Sequence, residues 1–112
     1  MVREILKKIG LSDTEINIYL LLLKNGYSKA TILSKELKLA RTTAYRFLSS
    51  LHDKGLVSES IQNNVKYFYP VEPERLSELL YEKIEEIQKV IPELKAIIGK
   101  RDEETKGIYL DL

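Results

Sequence analysis

The 112 residues predict a mainly α chain that carries one small β-hairpin and closes on a long helix. Three observations carry that reading. Apolar residues recur at helical spacing in four successive segments before residue 55, and β-branched and aromatic runs replace that spacing between Leu56 and Tyr69. From Pro73 to Ile98 a single seven-residue apolar repeat takes over. Composition agrees: 44% hydrophobic and 31% charged residues suit a soluble chain of one domain's size with a helical bias. The absence of cysteine excludes a disulfide framework and a thiolate metal site. The longest apolar run, Ile18 to Leu23, is far short of the roughly 18 residues a membrane span needs. Charges interleaved from Arg3 onward leave no apolar core for a signal peptide. An intracellular, cytoplasmic protein with no membrane partner is the expectation.

The first helix places Val2, Ile5, Leu6 and Ile9 on one stripe and stops at Gly10. Ser12-Asp13-Thr14-Glu15 is a capping box set directly before the second helix, whose stripe is Ile16, Tyr19, Leu20 and Leu23. Ile18, Leu21 and Leu22 widen its apolar surface, so it should be covered on more than one side, and Asn25-Gly26 ends it. A third helix is expected over about Lys29 to Leu37 with Ser28 as its N-cap, followed by a turn at Lys38-Leu39-Ala40. A fourth spans about Arg41 to Lys54, turns Ala44, Phe47 or Leu48, and Leu51 inward, and closes with Gly55 at C′. Arg41, Thr42, Thr43, Tyr45, Arg46, Ser49 and Ser50 fall largely on its other face.

After Gly55 the runs Leu56–Ile61 and Val65–Tyr69 flank Gln62-Asn63-Asn64 as a hairpin, which Pro70 and Pro73 terminate. Alternation turns Tyr67 inward and leaves Phe68 on the opposite face, under the long helix. In that helix Leu80, Ile84, Ile87, Ile91, Leu94 and Ile98 step by alternating fours and threes. Pro92 should kink or break it near Gln88 to Val90. Lys100 to Lys106 is a charge run without period, and Ile108 to Leu112 a short apolar segment read as a strand. The division expected is therefore residues 1–71 as a unit of helices and a hairpin, 72–99 as a long helix and 100–112 as a tail.

Helix, helix, turn, helix, hairpin is the order of a winged helix-turn-helix. A DNA major groove about 12 Å wide admits one helix, and base edges require donors and acceptors held close to its backbone. The polar face of the fourth helix meets that need. Arg41 and Arg46 can donate bidentately to guanine or clamp phosphate, while Thr42, Thr43 and Ser49 can bond phosphates or bases. Tyr45 either packs under the wing or faces a phosphate. Lys66 and the Asn63-Asn64 tip would extend the contact along the backbone or into the minor groove. The charge distribution supports this reading. Residues 1–71 hold eleven Lys/Arg against six Asp/Glu, a net +5, whereas residues 72–112 hold seven against eleven, a net −4.

Other residues have plainer explanations. His52, the sole histidine, lies near a helix C-terminus, where a cation is favoured. Glu82, Glu85 and Glu86 are flanking charges of a heptad helix. Nothing resembles a Gly-rich phosphate loop or metal-ligand spacing, so no catalytic residue, metal or cofactor is expected and an enzyme is disfavoured. An apolar stripe of about 26 residues, near 39 Å at 1.5 Å per residue, implies a homodimer through Leu80, Ile84, Ile87, Ile91, Leu94 and Ile98. The alternative is a fold-back at Pro92 into a helical hairpin. The function read from these features is sequence-specific binding of double-stranded DNA by a homodimer. A winged-helix protein-interaction module is the alternative.

The segments Gly10–Glu15, Tyr19–Leu23, Arg41–Tyr45 and Lys54–Val57, with Tyr67, Pro73-Glu74 and Ile91–Leu94, resemble the DNA-binding domain of TrmB-family transcription regulators. The resemblance covers about residues 5–98. It implies a mostly archaeal, cytoplasmic regulator whose long C-terminal helix pairs with a second copy. Two departures stand out. Ala40 occupies the position before the recognition helix where such turns often place Pro or Ser, and it cannot cap, which forfeits roughly 1 kcal/mol. Proteins of the family also continue into a larger effector-binding domain, so a stand-alone DNA-binding protein or a piece of a longer regulator is expected, and ligand sensing is not carried over.

Overall fold

The computed structural model describes the backbone of residues 1–110 and the side chains of residues 1–104. Its elements run α1 (Val2–Lys8), α2 (Asp13–Asn25), α3 (Ala30–Glu36), α4 (Arg41–Asp53), β1 (Val57–Gln62), β2 (Val65–Pro70) and α5 (Glu74–Leu110). This is a winged helix-turn-helix followed by a long helix. The chain divides into two compact units, Met1–Leu76 and Ser77–Leu112.

The core of the first unit is built around α2. Its Ile16, Ile18, Tyr19 and Leu22 are buried, and α1, α4 and β2 pack against it, so the wide apolar surface is indeed covered on more than one side. Leu33 from α3, Ala44, Leu48 and Leu51 from α4, and Leu56, Val57 and Phe68 from the hairpin complete it. Burial of each large side chain here stabilises the unit by roughly 1.5–3 kcal/mol. The Tyr19 hydroxyl donates to the Val71 carbonyl at 3.1 Å, tying the end of the hairpin to α2. The expected stripe of α1 is only half used: Leu6 is buried, but Val2 and Ile5 are exposed, because a helix of seven residues meets its neighbour on a single turn.

The capping box forms as expected, with the Ser12 N–H donating to Glu15 Oε1 at 2.9 Å and the Glu15 N–H to Ser12 Oγ at 3.2 Å. Helix α4 ends in a Schellman motif in which Gly55, at φ 80°, donates to the His52 carbonyl and Leu56 to the Leu51 carbonyl. Helix α1 ends the same way through Gly10 and Leu11.

Four expectations need correction. Ser28 does not cap α3; the N-cap is Lys29, without a side-chain bond, and Ser28 instead exchanges two backbone hydrogen bonds with Phe68, adding a one-residue edge to the hairpin. That pairing decides the hairpin's orientation. Phe68, opposite Glu59 and on the same face as Val57, is buried, whereas Tyr67 is half-buried on the other face. Aromatic residues at both parities made alternation alone ambiguous. Helix α5 runs through Pro92 without a break, although the proline ring leaves the Gln88 carbonyl without its usual partner. The backbone is also helical, not extended, as far as Leu110; residues 111 and 112 lie outside the described residues.

Within the second unit, Leu80, Ile84, Ile87, Ile91, Leu94 and Ile98 are all exposed, joined by Tyr81, Val90 and Ile97. Among the described residues no helix is long and apolar enough to cross a membrane.

Candidate nucleic-acid interface

Three buried residues, Ala44, Leu48 and Leu51, fix one side of α4 against the core. At 100° per residue the opposite side must then carry Thr42, Arg46 and Ser49, while Tyr45 lies at its margin and Arg41 flanks the buried stripe at the helix's first residue; all five are exposed. Thr43 is half-buried at the margin of this face. Ser50 does not belong to it. Its hydroxyl donates to Glu15 Oε2 at 2.9 Å, turned back toward α2. The helix opens at Ala40 with no side-chain cap, so the amide groups of its first turn remain available to an acceptor.

The C-terminal end of α4 is held by charge. Lys54 Nζ donates to both oxygens of Glu15 at 2.8 Å and to the Gly10 carbonyl at 3.0 Å. Burial pushes the Glu15 carboxyl up, but the bonds it accepts from Lys54, Ser12 and Ser50 outweigh burial and hold it below its ordinary value. The Glu15–Lys54 pair thereby links the start of α2, the end of α1 and the end of α4.

The wing meets the start of α4 in a groove of about 340 Å³ that brings together Arg41, Tyr45, Asn64 and Lys66, with Lys29 and Thr31 of the α3 entry. Asn63 and Asn64 form the two-residue turn between Gln62 and Val65, both at positive φ (52° and 64°). This is the type I′ geometry that asparagine tolerates. Tyr45 packs under the wing. Its ring meets Phe68 edge-on at 6.3 Å while it still lines the groove. Lys66 reaches Glu59 at 3.6 Å across the strands, an exposed pair worth little. Among the described residues no carboxylate pairs with Lys29 or Arg41. A concave, cationic surface with hydroxyl and amide donors is suited to a phosphate diester. The adjoining α4 face has the short polar residues that base edges require. Arg46 carries its guanidinium 5.0 Å from the Phe47 ring centre, which stiffens it.

A family model for the sugar-specific transcriptional regulator TrmB matches residues 6–74. The chain belongs to the TrmB family. The sugar-sensing transcriptional regulator TrmBL1 of Pyrococcus furiosus is 40% identical over 93 residues, which are 80% of this chain and 27% of that protein. The chain thus matches about a quarter of the length of this TrmB relative. Among solved structures, TrmBL2, described as an archaeal chromatin protein with a novel mode of DNA binding, superposes with a TM-score of 0.79 at 21% identity. The match covers 96% of this chain and 42% of that one. A possible transcriptional regulator from Methanosarcina mazei Go1 gives 0.61 at 22% identity, over 92% and 87% of the two chains. A regulator from Thermotoga maritima gives 0.60 at 17% identity, over 97% and 83%. These structural likenesses establish the fold of the TrmB chain.

The sequence pattern of this TrmB member anticipated the exposed polar face of α4 and the two-residue wing tip but missed Lys29, Thr31 and the second role of Glu15. Lys29 was assigned to the body of α3, and only the hairpin's fold-back brings it opposite Lys66. Glu15 and Lys54 are 39 residues apart, and neither has a local pattern that announces the other. Among the described residues no group of three or more acidic or histidine side chains could hold a metal ion.

Proposed function

We propose that this chain binds double-stranded DNA as a homodimer and regulates transcription by occupying a promoter, with base reading by Arg41, Thr42, Arg46 and Ser49 and backbone contacts by Lys29, Tyr45, Asn64 and Lys66. The observation that carries the reading is the cationic groove at the wing, continuous through Arg41 and Tyr45 with the exposed polar face of α4. Thr43 and Asn63 are flanking contacts. The mechanism needs no bond making. Phosphate contacts set the register of the recognition helix, and its side chains then discriminate bases.

The second unit supports the dimer reading. Six exposed Leu and Ile residues between Leu80 and Ile98 form a seam of about 27 Å, at 1.5 Å rise per residue, with heptad spacing. A second copy of the same seam is its natural complement. Two-fold pairing would offer two recognition helices to half-sites about 34 Å apart.

The test is selection of bound genomic fragments by the purified chain, followed by affinity measurement on the recovered site. The expected result is a recurrent two-fold sequence. Arg46→Ala should weaken binding by about 1–3 kcal/mol and relax preference at one base pair. Recovery of fragments without any shared sequence would refute specific recognition. An unchanged affinity and preference in the variant would remove Arg46 from the reading face.

A further inference from the structure

The hairpin face turned away from the core carries a second side-chain cluster that the DNA reading does not use. Tyr67 and Tyr69 lie on it, and Tyr27 from the α2–α3 connection joins them, its ring 5.8 Å from Tyr67 in an edge-on arrangement and 5.9 Å from Tyr69, tilted by 32°. With Asn25, Lys29 and Gln62 these rings line an open cavity of about 730 Å³. Small-molecule sites occupy about 300–1,000 Å³.

The lining specifies a chemistry. Edge-on and tilted rings leave aromatic faces free, and a flat ring can stack on them. The amides of Asn25 and Gln62 supply donors and acceptors; the Gln62 nitrogen already donates to the Tyr69 hydroxyl at 3.2 Å, which orients its carbonyl. Lys29 Nζ stands 5.8 Å from the Tyr67 ring centre, and no Asp or Glu lines the cavity, so its charge is positive. Lys29 also lines the groove that holds Arg41 and Lys66.

We propose that this cavity binds a small molecule in which a flat aromatic ring is joined to an anionic group, and that such a ligand and DNA compete for the Lys29 ammonium. The second clause rests on the DNA-binding reading; the first does not. Linkage makes the competition reciprocal: whatever factor the ligand takes from DNA affinity, DNA takes from the ligand's. Phosphate on a nucleotide and carboxylate on an aryl acid are two sources of the same chemistry.

The chain has seven tyrosines and no tryptophan, so tyrosine emission reports occupancy directly. The purified full chain is titrated with adenosine monophosphate and, separately, with naphthoate, with adenosine and sucrose as neutral controls. Saturable binding of one or both anions, at least tenfold tighter than adenosine and with sucrose inert, is expected. The arm that responds names the source. Binding of neither anion, or equal binding of sucrose, overturns the proposal. Tyr27 is 55% exposed, so Tyr27→Ala can be made without opening the core. It should cut ligand affinity at least tenfold and leave ligand-free DNA affinity within twofold, with circular dichroism verifying the fold. Lys29→Met should weaken ligand and DNA alike and abolish the effect of one on the other. Ligand binding that leaves DNA affinity untouched overturns the competition while the cavity stands. A chain that binds ligand but no DNA refutes the proposed function instead.

Discussion

Glu15 divides its work between two oxygens. Oε1 accepts the Ser12 amide and Lys54, while Oε2 accepts the Ser50 hydroxyl and Lys54. A carboxyl held below its ordinary value of 4.5 in the folded state stabilises the fold fully above that pH, and the contribution is lost as pH falls through the folded value. Lys54→Met leaves the buried carboxylate with serine and amide donors only, so burial then pushes its pKa up. We expect a loss of about 2–3 kcal/mol, below the usual range for a broken buried pair because the lysine side chain is partly exposed. Urea unfolding across pH should show the stability gap between the two chains closing as pH falls, because the unaltered carboxyl loses its contribution on protonation while a raised one in the variant takes up its proton more readily when folded; a gap independent of pH would refute the assignment. Lys38 is the opposite case, a residue in a conformation that does not suit it. The α3 terminus repeats the Schellman pattern, Lys38 donating to the Lys35 carbonyl and Leu39 to that of Ser34, but with a lysine at φ 54° where α1 and α4 have glycine. Left-handed strain of about 1–2 kcal/mol exceeds the unfolded-state entropy that glycine adds. Lys38→Gly should therefore raise stability by about 0.5–1 kcal/mol, and a lower thermal midpoint would contradict this.

At the scale of the element, the most consequential object is α5, whose heptad seam is exposed from Leu80 to Ile98. Charging it with Ile87→Glu and Ile91→Glu should give monomers in sedimentation while the first unit keeps its fold, since both side chains belong to the second unit and are exposed. A dimer that survives would move the interface elsewhere, with the exposed Val2 and Ile5 of α1 the next surface to test. The same elements show what sequence made legible. Helix α4 was readable but for Ser50 because its signals are local: an apolar stripe at 3.6-residue spacing, and a glycine at the position where left-handed geometry is required. The capping box before α2 was readable for the same reason. The hairpin was only half readable. Its strands and turn follow from β-branched and aromatic runs around asparagines, but the face that enters the core is set by the pairing of Ser28 with Phe68, a contact 40 residues apart in sequence. Pro92 misled because one lost hydrogen bond is a small part of what holds a helix of 37 residues, even with the β-branched Val90 and Ile91 beside it. The wing groove was assembled from three segments, and no local pattern could place Lys29 beside Arg41 and Lys66.

For the molecule as a whole, the formal charge of +1 conceals how it would meet a polyanion. At physiological ionic strength charge is felt over about 8 Å, so a duplex responds to patches and not to a net sum. The patch here has Lys29, Arg41 and Lys66 in the groove and Arg46 on the neighbouring face. Each phosphate neutralised should contribute about −0.9 to the slope of log K against log salt. Four cations per protomer therefore predict a slope near −3 to −4 for one copy and near −7 for a two-fold pair. The slope consequently reports oligomeric state and DNA contact in one measurement. On the selected duplex, the unaltered chain should give the steeper value and the Ile87→Glu, Ile91→Glu variant about half of it. Removing Lys29 or Lys66 should lower the slope by about one unit per protomer without changing which bases are preferred. A flat response would exclude phosphate neutralisation as the source of affinity. A shallow slope that the seam variant leaves unchanged would mean that a single copy binds DNA, and the apolar seam would then serve a partner other than its twin.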